Sequence, residues 1–208
     1  MAHIPDGVLT TPILIGGAVV TVTVVTIAIR RLRSEQIPQA AVMAATFFVA
    51  SLISVPVGVS SVHLILNGLM GLLLGWAAVP AILIALVLQT VFFGFGGLLV
   101  LGVNAMNIAL PALICALFLR RPLRHASQKG AFVIGAVGGA SAVAMTGLLV
   151  CAALALSGNA FIPAAKVLIA TFIPLAFVEA VVTGAALSFI KRVAPELLFM
   201  KEPAYGAQ

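Results

Sequence analysis

Charge is scarce in this chain. Of 208 residues only 8% are Asp, Glu, Lys or Arg, against about a quarter in a soluble domain, and 63% are hydrophobic. Water is therefore not its main solvent. The long apolar runs lack the alternation of a barrel strand, which excludes a closed β-barrel and leaves a helical bundle to satisfy the backbone polar groups in lipid. Nucleotide and protease motifs are missing too: there is no G-x-x-x-x-G-K-[ST] and no H-E-x-x-H. The expectation is a non-enzymatic chain that does not itself hydrolyse ATP. Only two cysteines occur, Cys115 and Cys151, in separate apolar runs near opposite leaflets; they read as buried thiols, not as a disulfide. No basic segment precedes the first apolar run, where Asp6 stands instead, so that run reads as a retained span and not as a signal peptide.

What is present is a series of apolar runs between breaks, near 9–29, 38–58, 64–79, 81–93, 98–119, 131–156 and 163–190. Arg30, Arg31 and Arg33 follow the first, Arg120, Arg121, Arg124 and Lys129 the fifth, and Lys191, Arg192 and Lys201 the seventh. With seven spans, ten of the eleven basic residues fall on one side and Lys166 alone on the other. The positive-inside rule makes that side cytoplasmic and puts the amino terminus outside. An even number of spans would scatter the clusters, so the 64–93 region reads as two short helices hinged near Pro80. The fold class expected is an all-α membrane protein, a bundle of seven transmembrane helices, with residues 1–195 forming one membrane-embedded domain and 196–208 a cytoplasmic tail. The basic balance reports topology and not nucleic acid.

Gly68, Gly71 and Gly75 with Ala77 and Ala78 form a small-residue seam suited to close helix packing in lipid, and Ala40, Ala41, Ala44 and Ala45 repeat the spacing in the second span, for bundle packing or as a docking surface for another membrane subunit. Gln89, Asn104, Asn107 and Glu179 are polar residues that lipid would penalise, so they are expected to face the interior. Asn104 and Asn107 share a helix face and are placed either to bond carbonyls of an irregular loop around Gly94, Gly96 and Gly97 or to make simple interhelical hydrogen bonds. Glu179 reads as a structural acid, too deep for an outer site and bonded to Thr183 or a neighbouring helix.

Three histidines exist. His125 sits among basic residues in a cytoplasmic loop, whereas His3 and His63 both fall near the outer face. A histidine close to a free α-amine can chelate a divalent metal through the amine, intervening backbone amides and its own ring, a nitrogen set whose square-planar preference suits nickel and copper. If Met1 is excised, the Ala2 amine, the His3 amide and the His3 ring supply three in-plane nitrogens, and His63 is the candidate for the fourth. If Met1 is retained, its amine, two amides and the ring fill the plane, and His63 is at most axial. Pro5 and the Asp6-Gly7 turn fold this terminus back toward the bundle. Asp6 then either orients a ligating ring or makes turn and cap hydrogen bonds.

The ordered set His3-Ile4-Pro5-Asp6-Gly7, Ser60-Ser61-Val62-His63-Leu64, Gln89, Phe93-Gly94-Phe95-Gly96-Gly97, Gly102-Val103-Asn104 and Asn107 resembles the CbiM/NikM family. These are the metal-binding S subunits of energy-coupling-factor ABC transporters for cobalt and nickel, and the resemblance covers nearly the whole chain. It implies a seven-helix subunit of the prokaryotic cytoplasmic membrane that captures Co2+ or Ni2+ as its transported substrate at the outer face. Carried over, the ligands are Ala2 (or Met1), His3 and His63, with Asp6, Ser61, Asn104 and Asn107 around them. It implies as partners a membrane T subunit, two cytoplasmic ATPases and often a small companion membrane protein. Two departures stand out: Ala2 precedes His3 where the family begins Met-His, which excision of Met1 would correct, and Phe95 replaces a residue that is often His or Asp and cannot ligate. An S subunit for an organic nutrient, with the histidines incidental, is the alternative reading, and an intramembrane hydrolase using His3, His63 and Glu179 is a third.

Overall fold

A computed structural model describes residues 3–57 and 60–198, and among these it forms seven α-helices and one β-hairpin. Helix α1 (Thr11–Arg31) starts after Thr10 in extended conformation, with Pro12 in the first turn where its missing N–H costs nothing. It ends in Arg30 and Arg31, which suit the negative end of the helix dipole. Helix α2 (Ile37–Ala50) is short and leads into the antiparallel hairpin β1 (Ser54–Val57) and β2 (Ser60–His63), in which Ser54 lies opposite His63. Helices α3 (Asn67–Leu74), α4 (Ala78–Phe93), α5 (Leu101–His125), α6 (Gln128–Ser157) and α7 (Ile162–Val193) complete the bundle. A 3-10 turn at Pro195–Leu198 buries Leu198 against it.

The expected helix at 38–58 is corrected: it stops at Ala50, and the chain turns into a strand containing Pro56. The run expected from 64 becomes helical only at Asn67, and His63 before it ends β2. The break between α3 and α4 lies not at Pro80, which sits in the first turn of α4, but at Gly75. Its φ of +60° and ψ of −126° is a backbone conformation that L side chains rarely adopt.

Contacts fix the direction of each helix. At one end the Arg31 guanidinium lies 4.4 Å over the Trp76 ring, Arg120 donates to Leu73 O at 3.4 Å, and Lys191 donates to Arg124 O at 2.9 Å. The ends of α1, α3, α5 and α7 thus share the basic face. At the other end Thr10 N donates to Ser157 Oγ at 3.3 Å, and Ile4 is bonded to Asn104. Among the described residues five stretches are long and apolar enough to cross a membrane, with Asn67–Phe93 among them as one continuous piece. That piece reverses at Gly75: its α3 half runs toward Arg120, and its α4 half runs back toward the opposite end.

Outward faces carry large apolar side chains such as Val22, Phe118, Leu148 and Phe177, as a lipid-facing surface requires. Inside, small residues let backbones touch. A Cβ on Gly71 would stand 2.0 Å from Ala112 O, so α3 and α5 meet main chain to main chain. Ala40 and Ala44 are buried, while Ala41 and Ala45 stay exposed. Cys115 and Cys151 are free and buried.

Candidate functional site

The amino-terminal segment is clasped by the loop before α5 and by the first turn of α5 itself. Ile4 N donates to Asn104 Oδ1 and Asn104 Nδ2 donates back to Ile4 O, both at 3.0 Å. Asp6 N donates to Gly96 O at 3.2 Å, and Asp6 Oδ1 accepts from Val100 N at 3.1 Å, capping the start of α5. Gly97 makes the clasp possible, because a Cβ there would stand 2.1 Å from the Asp6 carboxyl carbon. Proline at position 5, without an N–H, and Gly7 at φ +83° complete the bend that turns the terminus into the bundle.

His3 is thereby carried to a small cavity lined also by Phe47, Ser51, His63, Leu64, Ile65, Gln89 and Ile108. Its volume is about 20 Å³, room for one water molecule or one ion. The His3 ring stacks on Phe95 with centroids 6.3 Å apart, and Phe95 packs on Phe93 and Phe93 on Phe48, an aromatic wall on one flank. The polar lining is sparsely bonded: His63 Nδ1 is buried without a hydrogen-bond partner, and the buried Gln89 amide has none beyond the His3 ring that it faces. Buried polar atoms normally find partners, so the His63 ring nitrogen is free to take one inside the cavity.

Burial lowers the His3 ring to about 4, an effect that the nearby Gln89 amide only partly offsets. Burial also lowers His63. Both imidazoles are therefore neutral near pH 7, the form that ligates metals. Among the described residues no three His, Cys, Asp or Glu side chains come together. Any metal held here would have to complete its shell from backbone or terminal nitrogens or from Gln89.

Of the residues singled out from sequence, His3 and His63 share the cavity. Ala2 and Met1 lie outside the described residues. Ser61 lies on β2 opposite Pro56. Asp6 makes cap and turn bonds and does not hold a histidine ring. Asn104 bonds Ile4, while Asn107 is buried with its amide unpaired. The reading of Glu179 needs correcting: its Oε1 accepts from the backbone N–H of Ile65 and, at 2.9 Å, of Leu66, close behind His63, and Thr183 Oγ1 has no partner. The depth was misjudged because the hairpin carries the chain inward. Asn67, which opens α3, donates to Ile108 O, seven residues or about 10 Å along α5. Gln89, expected to face the interior and part of the family resemblance, lines the cavity because α4 runs back toward the site.

A lipid-faced helical bundle, with a small cavity that gathers His3, His63 and Gln89 at the end opposite its basic clusters, is the architecture of a multi-pass membrane protein. The chain belongs to the CbiM family: residues 3–197 match the family described as the cobalt uptake substrate-specific transmembrane region. It is 41% identical over 198 residues to a Haemophilus influenzae protein named "Putative metal transport protein", covering 94% of this chain and 96% of that one. It is 37% identical over 113 residues to the fused nickel transport protein NikMN of Rhodobacter capsulatus, a match covering 51% of this chain and 33% of that protein. A crystal structure of a transition metal transporter superposes with a TM-score of 0.74 at 26% identity, covering 92% of this chain and 93% of that chain.

Proposed function

We propose that this chain is the substrate-binding S subunit of an ATP-driven cobalt or nickel importer. The ion is captured at the outer face by the amine of Ala2 (Met1 if retained), the His3 amide and ring, and His63. The observation that carries this reading is the cavity itself: two neutral imidazoles line a space for a single ion, and His63 Nδ1 is buried there without a partner. Imidazole and amide nitrogens favour transition metals over Mg2+ or Ca2+, which prefer oxygen. A cavity of about 20 Å³ is too small for an organic nutrient. The importer reading also needs two cytoplasmic ATPases, since this chain has no nucleotide-binding motif of its own, together with a membrane T subunit and, as is often the case, a small companion membrane protein.

The same reading takes all seven helices as membrane crossings, with the amino terminus outside and the carboxy terminus cytoplasmic in a prokaryotic inner membrane. Support comes from the reversal at Gly75 and from the basic residues at the ends of α1, α5 and α7, gathered on the face opposite the cavity. Metal analysis and titration of protein purified with its native terminus test the function. Tight binding of Ni2+ or Co2+ that disappears when the terminal amine is acetylated is the expected result. Wild-type affinity with a blocked amine would sink the terminal chelate, and no binding by the native protein would sink the reading as a whole.

A further inference from the structure

We propose that Glu179 is the positioning residue for His63, a carboxylate on α7 that fixes through the backbone the segment delivering that histidine to the cavity. The inference rests on the reading of His63 as a ligand. Glu179 is wholly buried, and its Oε1 accepts two main-chain N–H groups, from Ile65 and from Leu66. These amides follow His63 by two and three residues, in the stretch between the end of β2 and the start of α3 that belongs to neither strand nor helix. Leu66 has a φ of +51°, the one positive value of a non-glycine residue among those described, so its conformation must be imposed by its surroundings. Two main-chain N–H groups that converge on one buried acceptor oxygen, and that would be stranded away from water without it, are what impose it.

Two more observations make Glu179 an anchor and not a passenger. Leu64 and Ile65 line the same cavity as His3 and His63, so a shift of this stretch would move a wall and a ligand together. The α7 backbone at Glu179 is itself held by α6, since a Cβ on Gly139 would stand 2.5 Å from Glu179 O. The chain of support runs from the α6–α7 pair through one carboxylate to two amides and then to His63. The second oxygen, Oε2, has no partner. What the site requires is therefore the acceptor at Oε1, which a glutamine oxygen supplies as well.

The test uses the full-length protein in nanodiscs with two readouts. In the metal-free protein, the carbethoxylation rates of His63 and His125 are followed by mass spectrometry; in the same preparations Ni2+ is titrated. E179A is expected to change the His63 rate several-fold while leaving His125 unaltered, and to weaken Ni2+ binding at least tenfold, as loss of an orienting partner does at other metal sites. E179Q is expected to match wild type in both. Should E179A fail to fold, E179D, which withdraws the oxygen by one methylene, is expected to show the same His63 change. A folded E179A or E179D with a wild-type His63 rate overturns the proposal, as does E179Q behaving like E179A, which would make charge and not acceptor geometry the requirement. If the wild-type protein binds no Ni2+, the ligand reading fails, yet the His63 rates still decide whether Glu179 positions that ring.

Discussion

Replacing Asn104 with alanine removes both backbone hydrogen bonds of Ile4 at once. The residue is only 3% exposed, so its N–H and C=O, each bonded to the Asn104 amide at 3.0 Å, would be stranded away from water. Leaving a buried polar group unsatisfied costs about 1–3 kcal/mol, hence about 2–6 kcal/mol for the pair, less whatever a water in the vacated volume restores. What still holds the terminus is the Asp6–Gly96 bond, the Asp6–Val100 cap and the burial of Ile4 and Leu9. Undocking therefore leaves the bundle folded but lowers the fraction of molecules competent to bind, and the apparent Kd rises by the inverse of that fraction. Since about 1.4 kcal/mol is a factor of ten, and affinity falls only once the docking reserve is exhausted, N104A is expected to bind Ni2+ about 10- to 1,000-fold more weakly. Its thermal midpoint without metal should stay within a few degrees of wild type. N104D, which can accept from Ile4 N but cannot donate to Ile4 O, should fall between the two. Calorimetric titration of protein with a native terminus decides it, and an N104A affinity equal to wild type would refute the clasp as a determinant of binding.

His63→Ala should weaken Ni2+ and Co2+ binding by more than about 10- to 100-fold, the loss typical of residues that merely orient ligands, and equal affinity in the same titration would remove His63 from the site. Stability of the metal-free protein should depend on pH in a defined window. The folded His3 ring titrates near 4 and His63 is also lowered from its ordinary 6.5, so the unfolded chain binds more protons between those values. Stability should therefore be fully present above pH 6.5 and fall as pH drops through 4, with a smaller fall in H3A; a thermal midpoint independent of pH over that window would contradict it. Gly71→Ala should lower the thermal midpoint, because its Cβ meets the Ala112 carbonyl oxygen at 2.0 Å and backbone must move, a strain of about 1–3 kcal/mol or more. An unchanged midpoint would mean that α3 and α5 are not in main-chain contact.

What the sequence could reveal was decided by which forces act locally. Basic residues cannot rest in the hydrocarbon, so the clusters after α1, α5 and α7 mark one face whatever the packing, and the structure gathers them at one end. His3 and His63 could be assigned to a common face for the same reason. The break of the 38–58 run at Ala50 is not legible in apolar content, which alone does not distinguish a helix from a strand, although Pro56 within Ser-Val-Pro-Val is a signal against continued helix. Gln89 and Glu179 were recognisable as interior polar groups. Their partners were not, because these depend on where the chain reverses at Gly75 and on how far the hairpin dips before Asn67.

That arrangement has an energetic consequence. Both candidate ligands sit on segments with little regular structure of their own, and each is tied to a different long helix through its backbone: His3 through Ile4 to Asn104 on α5, His63 through Ile65 and Leu66 to Glu179 on α7. If the two ties act separately, the binding-competent fraction is the product of two docked fractions, and free-energy losses from breaking each should add. The N104A/E179A double variant should then lose the sum of the single losses within about 0.5 kcal/mol, as independent sites do. If instead the double variant is no worse than the weaker single one, the terminus and the hairpin dock as one cooperative unit across the cavity. Titration of Ni2+ into all four proteins in one membrane mimetic distinguishes the cases, and that second outcome would overturn the account of two separately anchored ligands.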